Sequence, residues 1–272
     1  MSLFLTGKAR RLEELKKNRL ITIIALKNSV PIRRDIKRYM NKVIKHFEDT
    51  GTLPDYGVNL DHTIELSNSI KKMYTQTVNT FSKIQFEAVQ RSFKGIPLEF
   101  YDSVVLKQDE ENVYIQNIFQ RLSGVWIAEN ALRRSTLVAN TSRDLIKNIL
   151  ESGYNEGLLN AEIARKMRKA VPVMSRFRAA TISITETHNA ATFADLKSTS
   201  IYNDEFNLEL KKEWVATEDE RTREAHNDAD GQKVDMNDSF IVGGESLSRP
   251  GDDTGSAENI IRCRCSLGYG RT

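Results

Sequence analysis

The chain's two cysteines, Cys263 and Cys265, stand one residue apart. In an extended strand, side chains at i and i+2 share a face, which suits joint metal ligation. A disulfide across so short a spacer would be strained. A tetrahedral zinc site needs four ligands. His226 is the best third candidate, and Asp219, Asp230 and His188 are candidates for the fourth. The double Cys-x-x-Cys spacing of common zinc modules is absent. The alternative is two small buried thiols packing a tight turn, with no cofactor.

Polar side chains are dense just upstream, where Trp214 is followed by Thr217, Asp219, Arg221, Arg223, His226 and the pair Asp230-Gly231. Asp219, Arg221 and Arg223 can build a bidentate carboxylate–guanidinium network. Through Glu186 it would hold the loop against the helix carrying Thr185-Glu186-Thr187. The arginines could instead contact phosphate, but Glu218, Glu220 and Glu224 cancel the local positive field. His226 beside Asp219 and Asp230 has the makings of a general base with an orienting carboxylate. Together with the cysteines it could form a metal-dependent hydrolase or nuclease. Neither Gly-x-Ser-x-Gly nor a Walker-type Gly-Lys-Ser/Thr occurs. Trp214 reads as a core aromatic.

In this order, Trp214, Asp219-x-Arg221-x-Arg223-x-x-His226, Asp230-Gly231, Pro250-Gly251 and Cys263-Arg264-Cys265 resemble the signature of the phage Mu F-like minor head proteins. Upstream, Arg178 and the run Thr185-Glu186-Thr187 to Asn189 resemble that family's second motif. Ile261-Arg262 departs from it, where many members place an Asn. The resemblance covers roughly residues 140–270. It implies a non-enzymatic virion component of a tailed phage or prophage, associated with the portal inside the head. The implied work is head assembly, DNA packaging or genome ejection. The implied partners are the portal protein, other head proteins and packaged double-stranded DNA. The implied locations are the head interior at the portal vertex and, during assembly, the host cytoplasm. Ser198-Thr199-Ser200 is superficially similar to the Ser-Thr-Ser of ADP-ribosyltransferases, some of which are fused to Mu F-like domains. No convincing Glu-x-Glu follows, and no toxin domain is expected in the seven residues after Cys265.

A chain of 272 residues that is 39% hydrophobic and 28% charged reads as globular, with one or two cores. No apolar run approaches a membrane span of about 20 residues. Met1–Thr6 is too short for a signal-peptide core, so an intracellular origin is expected. Residues 1–50 hold 13 Lys/Arg against 5 Asp/Glu, whereas residues 201–272 hold 9 against 16. A basic head and an acidic tail suit different partners. Bare DNA would repel the acidic end.

The expected fold class is α+β: a helical N-terminal region, residues 1–140, then a small α+β domain of short strands, residues 141–272. Leu12, Leu15 and Leu20 space as an amphipathic helix that Pro31 ends or interrupts, and Asp35–Phe47 reads as a second. Asn59–Phe93, free of Pro and Gly, predicts a long helix broken by Lys94–Pro97. Glu110–Glu151 predicts helix divided near Gly124 and Thr136–Ser142, with a start at Thr141–Asp144. Gly153–Gly157 predicts a turn, and Asn160 caps a helix that Pro172 stops. Ser175–Thr199 is the next helix. Residues 145–170 could form a DNA-reading helix-turn-helix, though a packing hairpin explains them as well. Beyond Phe206, frequent glycines mark short strands at Leu210–Ala216, Lys233–Val234, Ser239–Val242 and Cys265–Leu267.

Overall fold

A computed structural model describes the backbone of residues 7–55, 60–93 and 98–270, and the side chains of 15–55, 63–89 and 113–270. Four long helices come first: α1 (Gly7–Thr50), α2 (Leu60–Phe93), α3 (Leu98–Asn155) and α4 (Asn160–Glu205). Short elements follow: β1 (Lys211–Val215), α5 (Glu224–Asp228), β2 (Lys233–Asp235), β3 (Phe240–Val242), β4 (Glu245–Leu247), α6 (Ala257–Ile260) and β5 (Ser266–Gly270). The fold is α+β, with helix dominating. The predicted break at Lys94–Pro97 and the side chain of Leu12 lie outside the described residues.

The helices are fewer and longer than the sequence predicts. Pro31 lies inside α1 and Pro172 inside α4, and neither ends its helix. A proline in a helix interior costs about 3 kcal/mol. Around Pro31, Ile32, Ile36, Met40, Val43, Ile44 and Phe47 are fully buried. Each such side chain contributes roughly 1.5–3 kcal/mol when taken out of water, so the apolar stripe outweighs the lost bond. Around Pro172, Ile163, Met167, Val171 and Ala179 act in the same way. Likewise α3 runs undivided through Gly124 and Thr136–Ser142. The hydroxyls of Thr141 and Ser142 turn back onto Leu137 and Val138 carbonyls, inside the helix and not at a start.

The turn after α3 forms around Gly157, whose φ is +73°. Leu158 N–H donates to Gly153 O, and Gly157 N–H to Tyr154 O, closing the helix end in a Schellman arrangement. At the start of α4 the capping work falls to Glu162, which accepts from Leu159 N–H at 3.0 Å. Asn160 instead accepts from the Tyr154 hydroxyl. This hairpin buries Ile146, Ile163, Ala164 and Met167, the face expected for packing.

The chain divides into two compact units. One comprises residues 25–74 and 126–183, with the core just described. The other comprises 1–24, 75–125 and 184–272. In the latter, Phe86 meets Phe119 and Tyr202 edge-on. An antiparallel sheet in the order β2-β1-β5 and the hairpin β3-β4 complete it. Gly243 and Gly244, both at positive φ, make the two-residue hairpin turn. The strand β4 is not among those the sequence predicts.

Two helical glycines should respond oppositely to alanine. At Gly153 the new Cβ would lie 2.6 Å from Ile163 Cγ1, whereas at exposed Gly124 it meets nothing within 4 Å. Gly153→Ala should destabilise by about 1–3 kcal/mol, and Gly124→Ala should stabilise by about 0.5–1 kcal/mol. Thermal or urea unfolding of the two variants checks this.

Candidate functional site

Residues 261–265 follow α6 and precede β5; Ile261 N–H donates to Ala257 O and Cys263 N–H to Ile260 O. Side chains take over. Arg223 Nη2 donates to Ile261 O at 2.5 Å. Arg262 N–H, at φ +55°, donates to Thr185 Oγ1 on α4. The Arg264 carbonyl accepts from Thr217 Oγ1 at 2.7 Å and from Asn18 Nδ2 at 3.3 Å. His188 Nε2 lies 2.8 Å from Cys265 O.

The turn after β1 supplies the carboxylate. Asp219 folds its own loop by accepting from Arg221 N–H and the Thr222 hydroxyl. It then takes the Arg264 guanidinium in a two-pronged bond, 2.6 Å from Nη2 to Oδ1 and a shorter contact from Nη1 to Oδ2. Arg264 thereby holds the Asp219 carboxyl well below its usual range. The sequence reading gave this pairing to Arg221 and Arg223. Arg221 is largely exposed and only 3.6 Å from Asp219 Oδ2, while Arg223 grips backbone. The contact with the Thr-Glu-Thr helix runs through Thr185, one residue before Glu186, which is itself buried on α4.

Asp230 Oδ1 accepts from Ala216 N–H, and Gly231, at φ +75°, donates to Trp214 O. Together they return the chain beside β1. Trp214 is fully buried, edge-on to His226 and to Phe240. Gly251 sits at φ +70°, and a Cβ there would lie 2.6 Å from His188 Nδ1. The Pro250-Gly251 pair thus leaves room for the imidazole that carries Cys265. Arg178 lies in the other unit, bonded to Thr141 Oγ1 and Val138 O on α3.

His226, Cys263 and Cys265 converge. All three are buried, and their ligand atoms lie within 4.8 Å of one another. His226 Nδ1 is 3.3 Å from Cys265 Sγ and 3.8 Å from Cys263 Sγ. The Cys263 thiol is held well below its ordinary value, first by its hydrogen bond with Cys265 and then by the His188 and His226 imidazoles, against the opposing effect of burial. That same bond, with burial, pushes Cys265 well up. The base–carboxylate pair of an enzyme reading does not form. Asp219 is spent on Arg264, Asp230 on Ala216, and among the described residues no carboxylate touches His226. Ser198 and Thr199 turn their hydroxyls onto Ala194 and Asp195 carbonyls within α4.

Sequence reasoning missed three contributors. Asn18 lies 246 positions from the carbonyl it serves, and no local pattern marks it. Thr185 was passed over for its charged neighbour. Lys212 occupies an inward position of β1 where the strand pattern asks for an apolar residue. Its ammonium reaches Ser248 O at 2.8 Å above the Phe240 ring, and burial pushes its pKa down to about 8.

Residues 144–268 match the family described as Phage Mu protein F like protein. This segment, somewhat less than half of the chain, is similar to the phage Mu F-like family. Every residue of the converging cluster falls inside the matched segment. A similar protein is the "NAD(+)--arginine ADP-ribosyltransferase EFV" of Enterococcus faecalis, 30% identical over 208 residues. The match takes in 70% of this chain and 41% of that protein, so the chain spans less than half of its relative's length. No solved structure matches. No helix among the described residues is long and apolar enough to cross a membrane.

Arg264→Gln tests the clamp on Asp219. A depressed carboxyl contributes stability above its unfolded value of about 3.9 and loses it as pH falls through the native value. The Asp219 side chain is 35% exposed, so solvent screening limits the expected loss at pH 7 to about 1 kcal/mol. Carboxyl-detected NMR should show Asp219 titrating in the ordinary range in the variant and well below it in the parent.

Proposed function

We propose that this protein is a minor head protein bound at the portal vertex, inside the head, and that it acts through contacts and breaks no bonds. The observation that carries this reading is how the motif side chains are used. Asp219, Arg223, His188 and Thr217 are occupied in holding one segment of chain, and neither Asp219 nor Asp230 serves His226 as an orienting carboxylate. The Mu F-like segment supplies the family context. Arginine ADP-ribosyl transfer is named for the relative. For this chain it finds no support at Ser198-Thr199, which are buried within α4.

The basic half of the chain supports contact with packaged DNA. On α1, Lys27, Arg34, Arg38, Lys42 and Lys45 are exposed at intervals of seven, four, four and three residues, which puts them on one helix face. Arg38 also pairs with Glu65, and Arg34 with Asp35, so the stripe is partly neutralised. The acidic C-terminal residues suit a protein partner better than a phosphate backbone.

Two measurements test the reading. Mass spectrometry of purified virions should find the protein, and it should co-sediment with the purified portal ring. Absence from virions and failure to sediment with the portal would together overturn it. For DNA, affinity should fall with salt at a slope of about −0.9 per phosphate contacted. Reversing Lys42 and Lys45 to Glu should flatten that slope without sequence preference.

A further inference from the structure

We propose that His226, Cys263 and Cys265 hold a zinc ion through Nδ1 and two thiolates, with a water as fourth ligand, and that the ion is structural. This goes beyond the head-protein reading and does not depend on it.

The distances distinguish ligation from a simple thiol–imidazole bond. Zinc binds sulfur at about 2.3 Å and imidazole nitrogen at about 2.0–2.1 Å. At tetrahedral angles this puts nitrogen and each sulfur about 3.6 Å apart, and the two sulfurs about 3.8 Å apart. The observed nitrogen–sulfur distances of 3.3 and 3.8 Å straddle that value, and all three atoms lie within 4.8 Å of one another. A single proton on Nδ1 can point at one sulfur only, yet both sulfurs face the same nitrogen. Three donors of the soft and borderline kind that zinc prefers thus surround one point.

Charge balance points the same way. A divalent cation compensates two thiolates completely, which removes the cost of burying them. The segment is also fixed independently of the ion, since His188, Thr217 and Thr185 hold its backbone in place. Such preorganisation lowers the ordering cost of binding.

The remaining ligand is not a further protein side chain in this arrangement. Asp219 is clamped by Arg264, Asp230 bonds Ala216, and His188 uses Nε2 on Cys265 O. Three protein ligands plus water is the pattern of catalytic zinc, but here all three donor residues are buried, which keeps a reactant from the ion. The ion's work is to tie α5 to the segment before β5.

The test uses the full chain, purified without a metal-affinity tag. Elemental analysis should find one zinc per chain. After removal by a strong chelator, the melting temperature should drop by several degrees, and Zn2+ but not Mg2+ should restore it. Co2+ in place of zinc should give intense thiolate-to-cobalt charge-transfer absorption, lost in Cys263→Ser and in Cys265→Ser. Should those variants fail to fold, the zinc content, melting shift and cobalt spectrum of the unaltered protein still decide. Zinc well below stoichiometry, a melting temperature indifferent to Zn2+, or cobalt bound without thiolate absorption would mean an adventitious ion only, and would overturn the proposal. Portal binding and virion content are read separately, so either proposal can fail without the other.

Discussion

A short stretch of chain between a helix and a strand, anchored by two buried cysteines, sets the constraint on this protein. Every backbone N–H and C=O taken from water needs a partner, and each one left without costs about 1–3 kcal/mol. Between Ile261 and Cys265, two N–H groups donate to the carbonyls of Ala257 and Ile260, and the other partners are side chains from four separate places: Asn18 on α1, Thr185 and His188 on α4, Thr217 after β1, and Arg223 before α5. A loop served from so many directions has one conformation available to it. Displacing any donor exposes the demand of the group it satisfied.

The motif follows from that constraint. Its arginines and aspartate belong to a charged sequence, yet most of what they do is neutral bookkeeping of carbonyls and amides. Asp219 shows the economy: one carboxylate shapes its own turn through Arg221 and Thr222 and fixes Arg264 across the loop. Glycines act where side chains cannot fit. Gly251 clears the His188 ring, and Gly231 returns the chain beside Trp214. The same logic explains the buried Lys212, whose ammonium takes the Ser248 carbonyl from inside the sheet. A module built this way holds its segment from several sides at once.

The helical part follows a different rule. Its continuity comes from apolar stripes long enough to override local breakers. Pro31 and Pro172 each remove a hydrogen bond, and the buried residues on either side of each contribute several times that cost. Glycine ends helices only where a positive φ is available at the right place, as at Gly51 and Gly157. Gly124, inside α3, is simply carried along.

The sequence by itself determined the likeness to the Mu F-like family, the α+β class and the approximate positions of most strands. Periodicity, glycine density and side-chain type are local properties, and residues 214–265 display them openly. It also singled out His226, Cys263 and Cys265 as a set, because thiols and imidazole have few other uses at such spacing. Tertiary structure alone decided the partners. Asp219 chose Arg264 over Arg221, Thr185 took the Arg262 amide on α4, and Asn18 joined from across the chain. Hydrogen-bond partners are fixed by where the backbone ends up, and one carboxylate near three arginines gives no sign, in one dimension, of which it will meet. The prolines make the same point for the helices: a local breaker is legible, but the buried area that overrules it exists only once the helices have packed.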